Sequence, residues 1–150
     1  MYVGVGASYL DGCLIGEELD WGCAAIGTTI GANELAASPV LLGGSEEIKA
    51  SYLGRLIEEP KLASFCLTEP DAGSDVSGMR TTAIKKGDKY VINGSKCFIT
   101  NGGYADWYTV YAKTDKDAGH RGISAFLVPK AGTVTVAKHE DKMGLRASNT

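Results

Sequence analysis

Residues 68–75, TEPDAGSD, concentrate hydroxyl, carboxylate and backbone groups directly after a short apolar run. Pro70 fixes its own φ and favours an extended conformation for Glu69. Gly73 lets the backbone approach a ligand closely, and Ser74 adds a hydroxyl beside it. Such a loop can offer several backbone N–H groups to an anion or to the edge of a planar ring. The same residues also fit a polar surface turn, which is the commoner interpretation of the stretch by itself.

A second stretch, NGSKCFITNGG at residues 93–103, follows about twenty residues later. Asn93-Gly94 predicts a tight hairpin turn. Judged by its own surroundings, Phe98 is an ordinary inward-facing strand residue. The two stretches in this order and at this distance are the strongest functional signal in the chain.

Composition excludes several classes of protein. The chain has 150 residues, of which 44% are apolar and 22% charged, as expected for a soluble globular protein with one core. The formal charge of −3 leaves no basic surface, so we expect no nucleic-acid partner. No apolar run approaches about 20 residues, so we expect no membrane span. We also expect neither a signal peptide nor an Arg-rich transit segment at residues 1–6.

The cysteines and histidines favour neither disulfides nor a metal site. No pair of cysteines has CxxC spacing, and we expect buried free thiols in a reducing compartment. The two histidines are far apart and lie beside charged residues, so we expect no metal. These residues are Cys13, Cys23, Cys66, Cys97, His120 and His139.

The first part of the chain predicts helices. Apolar residues recur at close to helical spacing over residues 7–32, which indicates one or two helices. Gly16, Gly22, Gly27 and Gly31 weaken them and indicate either close helix contacts or room for a ligand. The apolar pattern continues over residues 32–42.

A further helix follows a break in the pattern. Pro39 interrupts the apolar pattern, and Gly43-Gly44 ends it. Ser45 then predicts an N-cap, because acidic residues follow it in the first turn. The helix is expected to end at residues 58–60.

After Pro60 the pattern becomes that of strands, and polar turns separate alternating runs, with a hairpin turn predicted at Lys86-Gly87-Asp88-Lys89. The prediction is an α+β fold, with an N-terminal α-helical segment followed by an antiparallel β-barrel or sandwich-like domain. We place the helical part at residues 1–61 and the β-domain at residues 62–150. Strands are predicted near residues 63–67, 79–86, 89–93, 96–100, 107–113, 123–128 and 133–138.

TEPDAGSDV followed by NGSKCFITNGG resembles the flavin-binding signature of the acyl-CoA dehydrogenase family, and the medium-chain type most closely. The likeness extends over essentially the whole chain through LIGEEL at 14–19, YLGRLIEEP at 52–60 and MGLRAS at 143–148. It implies that the chain covers the end of an N-terminal helical domain and most of a middle β-domain. We therefore expect a piece of a longer protein, whose C-terminal helical bundle would supply the Glu base.

The resemblance implies FAD as cofactor. It places the Thr100 hydroxyl near flavin N5 and packs the ring of Phe98 on the flavin, where many members carry Trp. It also makes Glu69 a structural residue, hydrogen-bonded within its turn, and not the catalytic base. The residues implied to bind the flavin are Phe65, Cys66, Leu67, Thr68, Gly73, Ser74, Phe98, Ile99 and Thr100.

The resemblance also implies a site for the acyl-CoA substrate, formed by Ser74, Gly27, Thr28 and Gly31. Medium-chain members carry larger polar side chains at the positions of Gly27 and Gly31. Their absence would deepen the acyl cavity and favour longer acyl chains, or would serve helix packing alone.

The implied activity is flavin-dependent α,β-dehydrogenation of acyl-CoA thioesters to trans-2-enoyl-CoA, as in fatty-acid β-oxidation. Electron-transfer flavoprotein would accept the electrons. The parent would be a homotetramer, in the mitochondrial matrix of a eukaryote and otherwise in the cytoplasm. Two alternatives stay open. One is a flavin oxidase or monooxygenase of the same fold. The other is a non-catalytic binding protein, if 150 residues is the native length.

Overall fold

The computed structural model describes residues 5–130 and 134–150. Two helices come first, and the strands of one sheet follow. The elements are α1 (Tyr9–Gly43), α2 (Glu46–Glu58), β1 (Ala63–Cys66), β2 (Thr82–Lys86), β3 (Lys89–Asn93), β4 (Trp107–Lys113) and β5 (Ile123–Pro129), with single turns of 3-10 helix at Val76–Gly78 and Gly119–Gly122.

Helix α1 is one helix in two halves. Ser8 caps its start, because its hydroxyl accepts a hydrogen bond from Asp11 N and its N–H donates to the Asp11 carboxylate at 2.7 Å. The halves meet at Cys23, whose backbone is not helical (φ −163°, ψ 105°). The predicted interruption at Pro39 is wrong, since the helix continues to Gly43. Ala36 and Val40 are buried on either side of this proline, and their packing holds the last turns in place.

Helix α2 follows its local signals. Ser45 is the N-cap and accepts a hydrogen bond from Ile48 N at 3.3 Å. Glu46 and Glu47 lie in the first turn, where the helix dipole favours negative charge. The helix ends at Glu58. The predicted cap and end are confirmed.

The strands form one open, mixed sheet. Strand β4 pairs antiparallel with β5 on one side. On its other side it pairs parallel with β1 and, at its last residue, with β2. Strands β2 and β3 form an antiparallel hairpin that turns at Gly87 (φ +63°). The α+β class is confirmed, but the antiparallel prediction fails for the β1–β4 and β2–β4 pairs. The prediction depended on local turn signals, which indicate antiparallel hairpins between neighbouring strands. Ala63 instead pairs with Trp107, 44 positions later in the chain, and a parallel pair needs such a long connection.

Two predicted strands are absent from the described residues, and the hairpin turn predicted at Asn93-Gly94 is wrong, since β3 pairs only with β2 among these residues. Residues 96–100 form a loop, because Phe98 (φ 56°) and the nearby Asn101 (φ 64°) lie in the left-handed region, which an extended strand cannot contain. Residues 134–138 form no strand, and residue 133 lies outside the described part of the chain. The first residues of the strand predicted at 79–86 precede β2, which begins at Thr82.

Hydrogen bonds and a small core dock α1 on the sheet. The Ala63 N–H donates to Asn33 Oδ1 at 2.8 Å, and Thr109 Oγ1 donates to the Ala36 carbonyl at 2.7 Å. Trp107 is buried between the layers, with its ring centroid 5.3 Å from that of Tyr52. These contacts fix the second half of α1 against the start of β1. The core cluster consists of Ala36, Val40, Leu53, Ala63 and Trp107.

Candidate functional site

A cavity of about 530 Å³ lies between α1 and the two loops that carry the sequence signals. Its α1 side is formed by one helix face, and its other side by the end of β1 and the loop at 98–100. The lining residues are Asp20, Gly27, Thr28, Gly31, Ala32, Leu35, Phe65, Thr68, Phe98, Ile99 and Thr100. Eight of these were singled out in the sequence, from three separate regions of the chain.

Four of the residues predicted to bind ligand do not line the cavity. Cys66 lies in a buried cluster beneath it, with Ala105 and Tyr108. Burial raises the pKa of the Cys66 thiol to about 12, so this thiol is inert near neutral pH. The Leu67 carbonyl accepts a hydrogen bond from Lys96 Nζ, and Gly73 and Ser74 are exposed outside the cavity. The ligand contacts predicted for these four residues stay predictions.

Sequence reasoning missed three lining residues, Asp20, Ala32 and Leu35. Ala32 and Leu35 could have been found, because with Gly27, Thr28 and Gly31 they follow the spacing of one helix face. Asp20, seven positions before Gly27, also has the spacing of this face, but a straight helix would hold it two turns away from Gly27. It belongs to the first half of α1 and reaches the cavity through the kink at Cys23.

A buried ion pair holds the two loops together. Glu69 Oε1 lies 2.8 Å from Lys96 Nζ, and both side chains are shielded from solvent. The same ammonium donates to the Leu67 carbonyl at 3.0 Å. A backbone hydrogen bond from Cys97 N to Thr68 O, at 3.0 Å, runs alongside. Lys96 therefore fixes the segment that contains Thr68 against the loop that begins at Cys97.

Glu69 is a structural residue, but its partners differ from those predicted. Within its own turn, only the Glu69 backbone forms hydrogen bonds, and these are with the backbone of Ala72. Its carboxylate accepts hydrogen bonds from Arg80 N at 2.6 Å and Thr81 N at 3.1 Å, in addition to Lys96. Burial raises the pKa of Glu69, but the donors, Lys96 first, outweigh burial and hold the pKa at about 2.

This low pKa predicts acid sensitivity. Because the pKa of Glu69 is depressed in the folded state, its stabilising effect is complete above about pH 4.5 and is lost as the pH falls toward 2. The free energy of unfolding should fall by about 3 kcal/mol across that window as the carboxylate is protonated. Glu69→Gln should flatten the pH dependence between pH 5 and 2, measured by urea denaturation at several pH values. Glu17→Gln, at an exposed carboxylate, is the control, and an equal flattening there would contradict the prediction.

The loop at 98–102 presents an aromatic ring to the cavity. Phe98 is 69% exposed, so it is not the inward strand residue that its surroundings indicated. The loop is held by Asn101, which is buried and donates its amide to Thr29 O at 2.9 Å and to Ala63 O at 3.2 Å. Asn101 thereby joins α1, β1 and this loop.

The cavity wall suits a flat ring with a polar edge. The Phe98 ring offers an apolar surface. Thr68 and Thr100 contribute hydroxyls, and in the described part of the chain neither these hydroxyls nor the backbone N–H groups of the two threonines donate to any acceptor. Buried polar groups of a bound ring need hydrogen-bond partners, and these two threonines are the candidates to supply them.

Metal binding, membrane spans and thiols are the other features that the sequence raised. No group of three or more His, Cys, Asp or Glu in residues 5–130 and 134–150 could hold a metal ion. No helix within these ranges is long and apolar enough to cross a membrane. All four cysteines are free, but only Cys66 is fully buried, and Cys13 is exposed. The expectation of buried thiols therefore holds for Cys66 alone.

Family models match both parts of the chain. Residues 1–60 match the acyl-CoA dehydrogenase N-terminal domain, and residues 64–150 match the acyl-CoA dehydrogenase middle domain. The chain is 44% identical to the probable medium-chain specific acyl-CoA dehydrogenase 2, mitochondrial, of Caenorhabditis briggsae, over 99% of this chain and 38% of that protein. It is 43% identical to the short-chain specific acyl-CoA dehydrogenase of Clostridium acetobutylicum, over 99% of this chain and 40% of that protein.

Solved structures show the same fold. A chain in a structure of the electron transferring flavoprotein of Acidaminococcus fermentans has a TM-score of 0.95 and 46% identity, over 99% of this chain and 40% of that one. Butyryl-CoA dehydrogenase from Megasphaera elsdenii has a TM-score of 0.90 and 45% identity, over 97% and 39%. The prolyl acyl carrier protein oxidase AnaB has a TM-score of 0.75 and 39% identity, over 79% and 32%.

This chain spans about two-fifths of the length of the curated relatives it matches. The family models nevertheless cover nearly all of it, and the flavin-binding structures of the family share its fold. The chain belongs to the acyl-CoA dehydrogenase family, a family of FAD-dependent oxidoreductases.

Proposed function

We propose that this chain forms the flavin- and acyl-facing part of an enzyme that oxidises acyl-CoA thioesters to trans-2-enoyl-CoA thioesters in fatty-acid β-oxidation. The observation that supports this most strongly is the cavity itself. It brings Gly27, Thr28 and Gly31 of α1 opposite Phe65, Thr68 and the 98–100 loop, so that one concave site has both a helical wall and a loop wall.

The two walls suit different parts of the reaction. The free N–H groups and hydroxyls of Thr68 and Thr100 would hold the polar edge of the FAD ring, and Phe98 would pack on its face. Bound FAD supplies the acceptor for the two electrons that leave the acyl chain. The α1 wall would bind the acyl chain and align it against the ring, which supplies the proximity that the reaction needs.

Glu69 does not supply the base for the α-proton. It follows Thr68 in the sequence, but it does not line the cavity and already accepts three hydrogen bonds. With a pKa of about 2 it would take up almost no proton near neutral pH. The resemblance assigns the base to a Glu of a C-terminal helical bundle outside this chain.

A flavin oxidase is the second candidate, because the chain is similar to the oxidase AnaB. That likeness extends over 79% of the chain, with a TM-score of 0.75. The likeness to butyryl-CoA dehydrogenase extends over 97%, with a TM-score of 0.90, and it favours a dehydrogenase. We infer an electron-transfer flavoprotein as the electron acceptor from the similarity to the Acidaminococcus chain. The homotetramer and the compartment stay predictions of the resemblance.

The test uses the intact gene product. Its mass is measured first, then its flavin absorbance, and then the response to hexanoyl-CoA without oxygen. We expect a product longer than 150 residues, bound FAD, bleaching of the flavin and formation of the enoyl thioester. Rapid hydrogen peroxide formation in air would favour the oxidase instead. A native product of 150 residues that binds neither FAD nor acyl-CoA would overturn the proposal and favour a binding protein of another kind.

The cavity also bears on acyl chain length. A Cβ at Gly31 would meet no atom of the described residues within 4 Å, so this glycine leaves open space in the cavity, which supports the deeper acyl site over helix packing. We expect Gly31→Leu to fill that space and to lower kcat/KM for dodecanoyl-CoA relative to hexanoyl-CoA by about tenfold or more. Gly16→Leu, on the same helix and away from the cavity, should leave the ratio unchanged. A preference of the unaltered protein for short acyl chains would contradict the long-chain hypothesis.

A further inference from the structure

Asp20 and Gly27 lie against each other in the α1 wall of the cavity. The kink at Cys23 folds the first half of α1 so that the Asp20 side chain lies over Gly27. A Cβ at residue 27 would stand 2.7 Å from Asp20 Cγ and would collide with Asp20 Oδ1. The absence of a side chain at Gly27 is therefore what allows the carboxylate to lie in the cavity.

Among the described residues that line the cavity, Asp20 is also the one with an ionisable side chain. The other lining residues are apolar, glycine or threonine, so no cation of the lining balances its charge. Within residues 5–130 and 134–150, the Asp20 carboxylate takes part in no hydrogen bond or ion pair. The cavity thus has a net negative wall.

We propose that Asp20 is a specificity-determining residue that excludes acyl groups ending in a carboxylate and admits acyl groups with an uncharged end. This inference rests on the proposed function, since it takes the cavity to be the acyl site. A second carboxylate in the cavity would meet the Asp20 charge without a compensating cation. Because the Asp20 side chain is exposed to solvent, the repulsion is screened, and we expect a three- to tenfold effect on affinity.

The test compares two ligands of equal chain length, hexanoyl-CoA and adipoyl-CoA, which differ at the far end of the acyl group. Their Kd values are measured by equilibrium dialysis without oxygen on the intact gene product with its flavin reduced beforehand, so that neither thioester is oxidised. The ratio of the two Kd values cancels the contribution of CoA. In the unaltered protein we expect adipoyl-CoA to bind more weakly than hexanoyl-CoA.

Asp20→Asn should lower the ratio of the adipoyl-CoA Kd to the hexanoyl-CoA Kd by three- to tenfold. Glu18→Gln removes the same charge two residues away, on a part of α1 that does not line the cavity, and should leave the ratio unchanged. Gly27→Ala should lower the ratio as well, because its Cβ displaces the Asp20 carboxylate. In the double variant the two effects should not add.

A measurement on the unaltered protein covers the case in which a variant fails to fold. Raising the ionic strength should lower the same ratio, since salt screens the repulsion between carboxylates. An equal ratio in the Asp20→Asn variant and in the unaltered protein, or no response to salt, would overturn the role of Asp20 and leave the proposed function standing. Failure of the unaltered protein to bind either thioester would overturn the proposed function, and the inference with it.

Discussion

Lys96→Met is expected to lower the free energy of unfolding of the chain by about 3–5 kcal/mol. The substitution leaves the buried Glu69 carboxylate without its only cationic partner among the described residues, and it also removes the donor to the Leu67 carbonyl. The stem of Met fills much of the volume of Lys, so the loss is chiefly electrostatic. Urea denaturation followed by circular dichroism measures the effect.

Lys116→Met is the matched control, because Lys116 lies in an exposed loop and should change stability by less than about 0.5 kcal/mol. Glu69→Leu combined with Lys96→Met should cost less than the sum of the single changes, since the double variant leaves no charge buried alone. Equal destabilisation by Lys96→Met and Lys116→Met would show that the pair does not hold the loops together. If the single effects add, the two side chains do not interact.

Trp107→Ala is also expected to lower the free energy of unfolding by about 3–5 kcal/mol, because it opens a cavity in the core that joins α1 to the sheet. The indole ring packs edge-on against Tyr52, and β4 pairs with β1 at this residue. Since β1 leads directly into Thr68, we expect the loop wall of the ligand cavity to loosen as well. Thermal denaturation and the rate of proteolytic cleavage in residues 67–72 measure the two effects.

Two further variants separate packing from the chemistry of the indole. The buried Trp107 Nε1 donates to no acceptor among the described residues, so Trp107→Phe removes an unpaired polar group and should cost about 1–2 kcal/mol less than Trp107→Ala. Trp21, which is 91% exposed, supplies the control, and Trp21→Ala should leave stability nearly unchanged. Similar losses for Trp107→Ala and Trp21→Ala would contradict the assignment of Trp107 to the core.

Local signals in the sequence determined much of this protein. The Ser45 cap, the end of α2 at Glu58 and the hairpin turn at Gly87 depend on neighbouring residues, and each is found where it was predicted. The spacing of residues on α1 also placed Gly27 and Gly31 together, because side chains four positions apart share a helix face. The two signature stretches identified the family and the loops that line the cavity.

Tertiary structure alone decided the remaining features, because each depends on contacts between residues far apart in the chain. Loop 96–100 resembles a strand in its residue pattern, yet the positive φ of Phe98 prevents an extended strand there. Lys96 attaches this loop to the segment at Leu67, and the loop therefore forms a wall of the cavity. The parallel pairing of β1 with β4 follows from packing on α1 and from no turn signal. Asp20 enters the cavity through the kink at Cys23, which hydrophobic periodicity cannot show.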